Sequence, residues 1–347
     1  MMKRNLIRLA GVVHLIIILF ALLAYANPAA IGQSNLYDVL NRHGALGVIT
    51  LGAALLIVVG AIDLSIGSVV GFAAVLFGVL MESGITIKIK AGGNVLFNID
   101  TGPFHPYAAF AFTIACGILI GLINGTLVTR LRLQAFLVTL CGMFIYRGLS
   151  RTLTAKQTGL VQVKDMHPDY THALDTLRYW LVGKGENGEL IFPVTLVVLA
   201  VLCVFLGIFL HKSAFGRYWY AIGYNEQAAR YAGVHVERMK IAAFIISSAL
   251  ASFAGILYLL DYGSANPSEA GSTYELYAIT AAVLGGCSLR GGEGLVIGFF
   301  LGALVQPLMR NLMTFWDIPS SSEPWVMGLI LLLGTIADEM IRRRSKR

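Results

Sequence analysis

Asp63 is the only charged residue in the stretch VVGAIDLSIGSVVGF, residues 58–72. A carboxylate held inside an apolar span costs about 2.5–3.5 kcal/mol on membrane-insertion scales, so its presence asks for a use. Two uses fit the residues. Gly60, Ser65, Gly67 and Ser68 surround it, and small residues let a chain turn. The stretch therefore reads as a break between two helices, with Asp63 facing protein or a water-filled cavity. Asp and Ser also accept hydrogen bonds from the free N–H groups of a helix start, so Asp63 and Ser65 read equally as caps of the next helix. The two uses are compatible.

A second stretch, VLGGCSLRGGEGLVIGF at 283–299, has a similar order of Val, Leu, Ser and Gly residues. It reads as a weak internal repeat of the kind transporters carry. Gly285 and Gly286 mark its break, and Arg290 and Glu293 lie in its glycine-rich turn.

A third stretch is polar: AIGYNEQAARYAGVHVERMK, residues 221–240. Asn225 suits a helix start, and Glu226 in the first turn complements the helix dipole. Glu226 and Arg230 are four apart and can pair. Ala228, Ala229 and Ala232 form a small face, and Gly233 can end the helix in the left-handed conformation. Two turns are too few for a helix to stand alone, so this one needs a protein to dock against. The plain alternative is a solvated loop.

No catalytic chemistry is visible. The sequence holds no phosphate-binding loop, no His-Glu-x-x-His and no Gly-x-Ser-x-Gly. Cys116, Cys141, Cys203 and Cys287 lie in or beside apolar runs without metal-ligand spacing and read as buried thiols. The chain is expected to be no enzyme and to hold no metal or cofactor; energy must come from a partner or from an ion gradient.

The elements that carry these residues are membrane spans. Apolar residues make up 57% and charged residues 13% of the 347, against roughly 25% charged in a soluble domain, and mean hydropathy is +0.74. The net charge of +7 does not signal nucleic acid, because the basic residues sit at the ends of apolar runs. A span needs about 20 apolar residues. Ten runs qualify, near 9–26, 44–61, 66–84, 106–128, 133–153, 192–210, 241–262, 274–287, 294–313 and 324–341. The eighth is short and glycine-rich, so it reads as broken. The expected fold is an all-α polytopic membrane protein, one domain over 1–347. The first run resembles a signal peptide but reads as a retained first helix, which serves as its own signal.

Lys and Arg mark the cytoplasmic side. Placing both termini there puts Lys3, Arg4, Arg8, Arg130, Arg132, Lys212, Arg217, Arg230, Arg238, Lys240, Arg290, Arg342, Arg343, Arg344, Lys346 and Arg347 inside. The outside segments then hold Asp165, Asp169, Asp175, Glu186 and Glu189. Residues 211–240 fall in the cytoplasm, and 85–105 and 154–191 form long outside loops. Gly117, Gly121 and Gly125, and again Gly294, Gly298 and Gly302, recur every four residues and make grooves for close helix packing.

These stretches resemble a known family. AIGYNEQAARYAGVHVERMK looks like the cytoplasmic coupling loop of permeases of bacterial ABC importers for monosaccharides of the ribose, xylose and arabinose type. GAIDLSIGSVVGF resembles the family's Gly-Gly-Ile-Asp-Leu-Ser-Val-Gly-Ser hallmark, and LQAFLVTLCGMFIYRGLS and YELYAITAAVLGGCSLRGGEG resemble two further family segments, in the right order. Ala61, Gln134, Tyr224, Tyr277 and Cys287 depart from the pattern. The resemblance implies two permeases side by side, identical or paralogous, in the inner membrane, two ATPase subunits below and a periplasmic binding protein above. ATP would be bound by the ATPase partner. It places the ATPase contact on Gly216, Arg217, Gly223, Asn225, Glu226, Ala228, Ala229, Arg230, Gly233 and Arg238. It places Asp63, Ser65, Gly67, Ser68, Gly285 and Gly286 at breaks beside the pathway. The expected function is import of a small sugar. The rivals are an ion-driven secondary transporter, which would need more intramembrane carboxylates than this chain shows, a permease of the same family for another small polar solute, and a non-transporting scaffold.

Overall fold

The computed structural model describes residues 2–91, 94–154, 160–163, 166–185 and 187–344. Asp165, Glu186, Lys346 and Arg347, used above for orientation, lie outside them. Each of the ten apolar runs carries a helix. They are α1 (Met2–Ala26), α2 (Gln33–Val58), α3 (Ile66–Glu82), α4 (Pro106–Thr129), α5 (Ala135–Leu153), α7 (Val194–Lys212), α10 (Val236–Tyr262), α11 (Tyr274–Leu284), α12 (Val296–Phe315) and α13 (Glu323–Arg344). Among the described residues, six of these are long and apolar enough to cross a membrane: α1, α2, α4, α7, α10 and α12. The protein is thus an all-α membrane protein with several spans.

Burial separates inner from outer helices. The apolar window of α2 is 89% buried within the chain, whereas that of α1 is 17% and that of α7 is 22%. A helix apolar all round belongs in the interior or against lipid. α2, α3 and α10 form the interior, α10 packing on both α2 and α3, with α4 and α5 flanking α3 and with α11 and α12 flanking α2. α1 leans on α12 through Val12, Leu19 and Leu23.

Glycine sets the closest packing. A side chain at Gly121 would come within 2.5 Å of the Phe244 carbonyl oxygen and 2.6 Å of Ile245 Cα, and Gly117 and Gly125 also face α10. The expected groove on α4 is therefore occupied by α10. The second groove differs in part. Gly298 and Gly302 press against Ala281 of α11 and Gly285 just after it, but Gly294 precedes α12 and lies in a turn against Phe299.

The two long loops hold structure the apolar pattern did not predict. Residues 85–105 contain an antiparallel hairpin, β1 (Thr86–Ala91) with β2 (Asn94–Asp100). Alternation in Ile-Lys-Ile-Lys followed by Gly-Gly was the available signal. Residues 154–191 contain a two-residue strand, β3 (Val161–Gln162), paired with β4 (Ser264–Ala265), and the helix α6 (Thr171–Val182). The thiols differ from expectation as well: Cys287 is buried, Cys116 and Cys203 are half-buried, and Cys141 is exposed on α5. Cys141 belongs to an apolar surface that the chain itself does not cover, which includes Phe144 and Ile145.

Candidate functional site

The first break is real. α2 stops at Val58, Gly60 takes φ +85°, and α3 starts at Ile66. The connection then climbs back into the helix layer: Ser65 packs against Gly142, seven residues into α5 and so about 10 Å along it. Asp63 is buried and faces protein. Its Oδ1 accepts the Ser65 N–H at 2.7 Å and the Ser65 hydroxyl at 2.6 Å. It therefore tightens the turn before α3 and does not cap the free N–H groups of the first turn; Ser65 makes no capping bond either.

Neighbouring helices hold the turn. Asn124 of α4 donates to Ser65 Oγ at 3.3 Å, and Tyr146 of α5 donates to Asn124 Oδ1 at 3.0 Å. The Leu64 N–H donates to Thr139 Oγ1 of α5 at 3.1 Å. Ser68 donates to the Ser65 carbonyl at 2.7 Å. Among the described residues, Asp63 Oδ2 has no hydrogen-bond partner.

A second unwound segment arrives from the opposite end. Between β4 and α11 the chain is irregular, and Thr273 adopts φ +66° just before α11. Positive φ is a genuine strain for a β-branched residue, and such strain gathers at functional sites. Gly71 and Gly67 make room for this segment: a side chain on either would overlap Ala270 or Gly271 and Glu275. Glu275, in the first turn of α11, is buried over Gly67, and its Oε2 likewise lacks a partner among the described residues. Two buried carboxylates, each with one uncommitted oxygen, thus flank the start of α3. Glu275, Asn124, Thr139 and Tyr146 escaped the sequence reading. The signal was the one that flagged Asp63, a polar residue in an apolar run, but Glu275 looked like the polar edge of a short span.

The other break, at Gly285 and Gly286, does not join this cluster. α11 ends at Leu284, Gly286 takes φ +92°, and Gly285 packs on Gly298. It meets the first break lower down. The Gly292 N–H donates to the Val58 carbonyl at 2.8 Å, and Gly291 lies beside Gly60.

The polar stretch docks on that meeting point. With the residues just before it, it forms two short helices, α8 (Ala214–Tyr224) and α9 (Glu226–Tyr231), and then the start of α10. Trp219 is buried and donates to the Met239 carbonyl at 2.9 Å, and Tyr220 donates to the Gly294 carbonyl at 2.8 Å. Gly223 fits so closely that any side chain would overlap the Val58 carbonyl oxygen and the Gly292 nitrogen. Asn225 Oδ1 accepts the Ala228 N–H at 3.0 Å and caps α9. Gly233, at φ +83°, closes it, with the Val234 N–H returned to the Ala229 carbonyl at 3.1 Å.

Charge fixes α9 to α10. Glu226 pairs with Arg230 at 3.4 Å as the spacing predicts, but also with Lys240 at 2.6 Å, and Arg230 reaches Glu237 at 3.6 Å. Burial opposes ionisation of Glu226, yet the Lys240 and Arg230 contacts outweigh it and hold the carboxyl below its ordinary 4.5. The latch is therefore complete above that value and opens only as pH falls through the lowered one.

The predicted contact residues divide in two. Arg217, Asn225, Ala228, Arg230, Gly233 and Arg238 are exposed. Gly216 and Ala229 are buried, while Gly223 and Glu226 are half-buried. Ala229 points into the chain because the 3.6-residue period puts it on the α9 face that α10 covers, so the small face open to a partner is Ala228 and Ala232. Tyr231, 90% exposed, is the outward feature that pattern reading passed over, and Tyr224, noted only as a departure from the family pattern, is 78% exposed.

The family described as "Branched-chain amino acid transport system / permease component" matches residues 35–335. The chain belongs to that family of permeases. Curated relatives agree in length and order. The ribose import permease protein RbsC of Escherichia coli K12 is 29% identical over 93% of this chain and 91% of its own. RbsC of Haemophilus influenzae is 29% identical over 94% and 91%. The autoinducer 2 import system permease protein LsrC of Escherichia coli K12 (DH10B) is 30% identical over 94% and 85%. No solved structure matches. The permease is the multi-pass inner-membrane subunit of an ABC importer. It is a transport subunit that works with an ATPase and a periplasmic binding protein.

Proposed function

We propose that the permease conducts a small sugar or sugar-like polar solute, in a pair with a second identical or paralogous permease, above two ATPase subunits. It crosses the membrane ten times with both termini in the cytoplasm. The observation that carries this reading is the seating of α8 on two helix breaks at once. An ATPase that moves α8 and α9 moves Gly60 and Gly292 with them, and through them the Asp63 turn and α11. Irregular backbone at membrane depth is tolerated where it is enclosed by protein or lines a cavity. The uncommitted oxygens of Asp63 and Glu275 suit the hydroxyl donors of a polyol. ATP is bound by the partner. The relatives named for ribose and for autoinducer 2 support a solute of this class. An ion gradient as the driving force is not favoured, because the family couples transport to an ATPase partner.

The docking face is tested at Tyr231. Its exposure makes Tyr231→Glu a surface change, worth within about 0.5 kcal/mol of stability. Uptake and solute-stimulated ATP hydrolysis are expected to fall together while the amount of permease in the membrane stays constant. Normal uptake would remove α9 from the ATPase interface. A cysteine at Ala228, and not at buried Ala229, is the position for crosslinking to the ATPase.

Topology is tested with reporters. A fusion after Arg347 is expected to be active only in the cytoplasm, and an insertion beside Asp175 on α6 only in the periplasm. The reverse at either position would overturn the ten-span arrangement.

A further inference from the structure

The geometry points to a phospholipid-binding site on the outer side of α7, for one lipid with a zwitterionic, amine-bearing headgroup. A groove of about 620 Å³ lies between α6, α7 and α10, within the roughly 300–1,000 Å³ of ordinary ligand sites. Its floor is a single stripe on α7, Val194, Val197, Val198, Val201 and Leu202, with Phe253 of α10 opposite. That stripe runs along about 12 Å of the helix axis from the helix start. An acyl chain lies in a bilayer in the same direction. The groove is continuous with the uncovered apolar face of α7, where Val201 is 63% and Phe205 67% exposed.

Apolar shape alone would not hold one lipid, since every neighbouring tail is as apolar as the groove. A polar pocket at its mouth supplies the selection. This second cavity, about 220 Å³, is lined by His172, Asp175, Thr176 and Lys184, and shares Tyr179 and Trp180 with the groove. The two rings meet edge to face at 5.6 Å, and aromatic residues of this kind collect at the headgroup level. His172 and the remaining N–H of Lys184, whose other two bonds go to Asp261, suit a phosphate, and Asp175 suits the ammonium of an ethanolamine. The walls are fixed in place. Arg178 donates to the Leu260 carbonyl at 3.0 Å, and Lys184 pairs with Asp261 of α10 at 2.9 Å. Phe192, at the groove's upper edge, packs on Tyr37 of α2 at 5.9 Å. The lipid would join α6 to α7 and α10 where protein contacts leave a gap.

The full-length permease, extracted in mild detergent and exchanged into nanodiscs of mixed phosphatidylethanolamine and phosphatidylglycerol, is examined by native mass spectrometry. One phosphatidylethanolamine is expected to stay bound after activation that strips the others. Val201→Trp fills the groove from an exposed position, and Asp175→Asn removes the ammonium partner. Each is expected to lower occupancy about tenfold, equivalent to about 1.4 kcal/mol, with unchanged elution and thermal unfolding in detergent. Equal retention by both variants would mean annular lipid only and would overturn the site. Preferential retention of phosphatidylglycerol would overturn the headgroup assignment.

Discussion

Gly223→Val is expected to abolish uptake while leaving the permease in the membrane. The valine would drive into the Val58 carbonyl and the Gly292 N–H, which already bond each other at 2.8 Å. Neither is a side chain that can rotate away. α8 must lift, or the bond between the two breaks must part. Overpacking of this kind costs about 1–3 kcal/mol, below the roughly 5–15 kcal/mol that holds a protein folded. The loss therefore falls on coupling. Solute-stimulated ATP hydrolysis should fall with uptake, and Gly223→Ala should show a smaller effect of the same sign. Uptake close to wild type in the valine variant, at equal membrane level, would show that α8 does not transmit through this joint.

Asp63 is expected to separate folding from transport. In Asp63→Ala the Ser65 N–H and hydroxyl, both buried, lose their acceptor. Each orphaned group costs about 1–3 kcal/mol, so this variant should be depleted from the membrane and unfold at lower temperature. Asp63→Asn keeps the acceptor oxygen and removes the charge. It should accumulate near normally, yet take up solute about tenfold more slowly, the loss of about 1.4 kcal/mol expected if the unpartnered carboxylate oxygen contacts solute. Normal uptake by Asp63→Asn would leave Asp63 as a builder of the turn alone.

The sequence by itself determined where helices run, because a lipid-facing or fully buried helix must be apolar over its length, and ten such runs are each helical here. It determined the local signals too. Asn225 caps α9, Gly233 ends it, Glu226 meets Arg230, and Gly117, Gly121 and Gly125 make a groove. Each depends on residues within four positions of one another, and such contacts are fixed by helix geometry. Tertiary structure alone decided what lies across each groove, since a glycine stripe states that something approaches but not what. It decided that Glu226 also holds Lys240, fourteen residues away, and that Ala229 is covered while Tyr231 is not. It brought Asp63 and Glu275 to opposite sides of one helix start, 212 residues apart in sequence. It also put Gly60, Gly223 and Gly292 at one point, where three segments meet only because no residue there has a side chain.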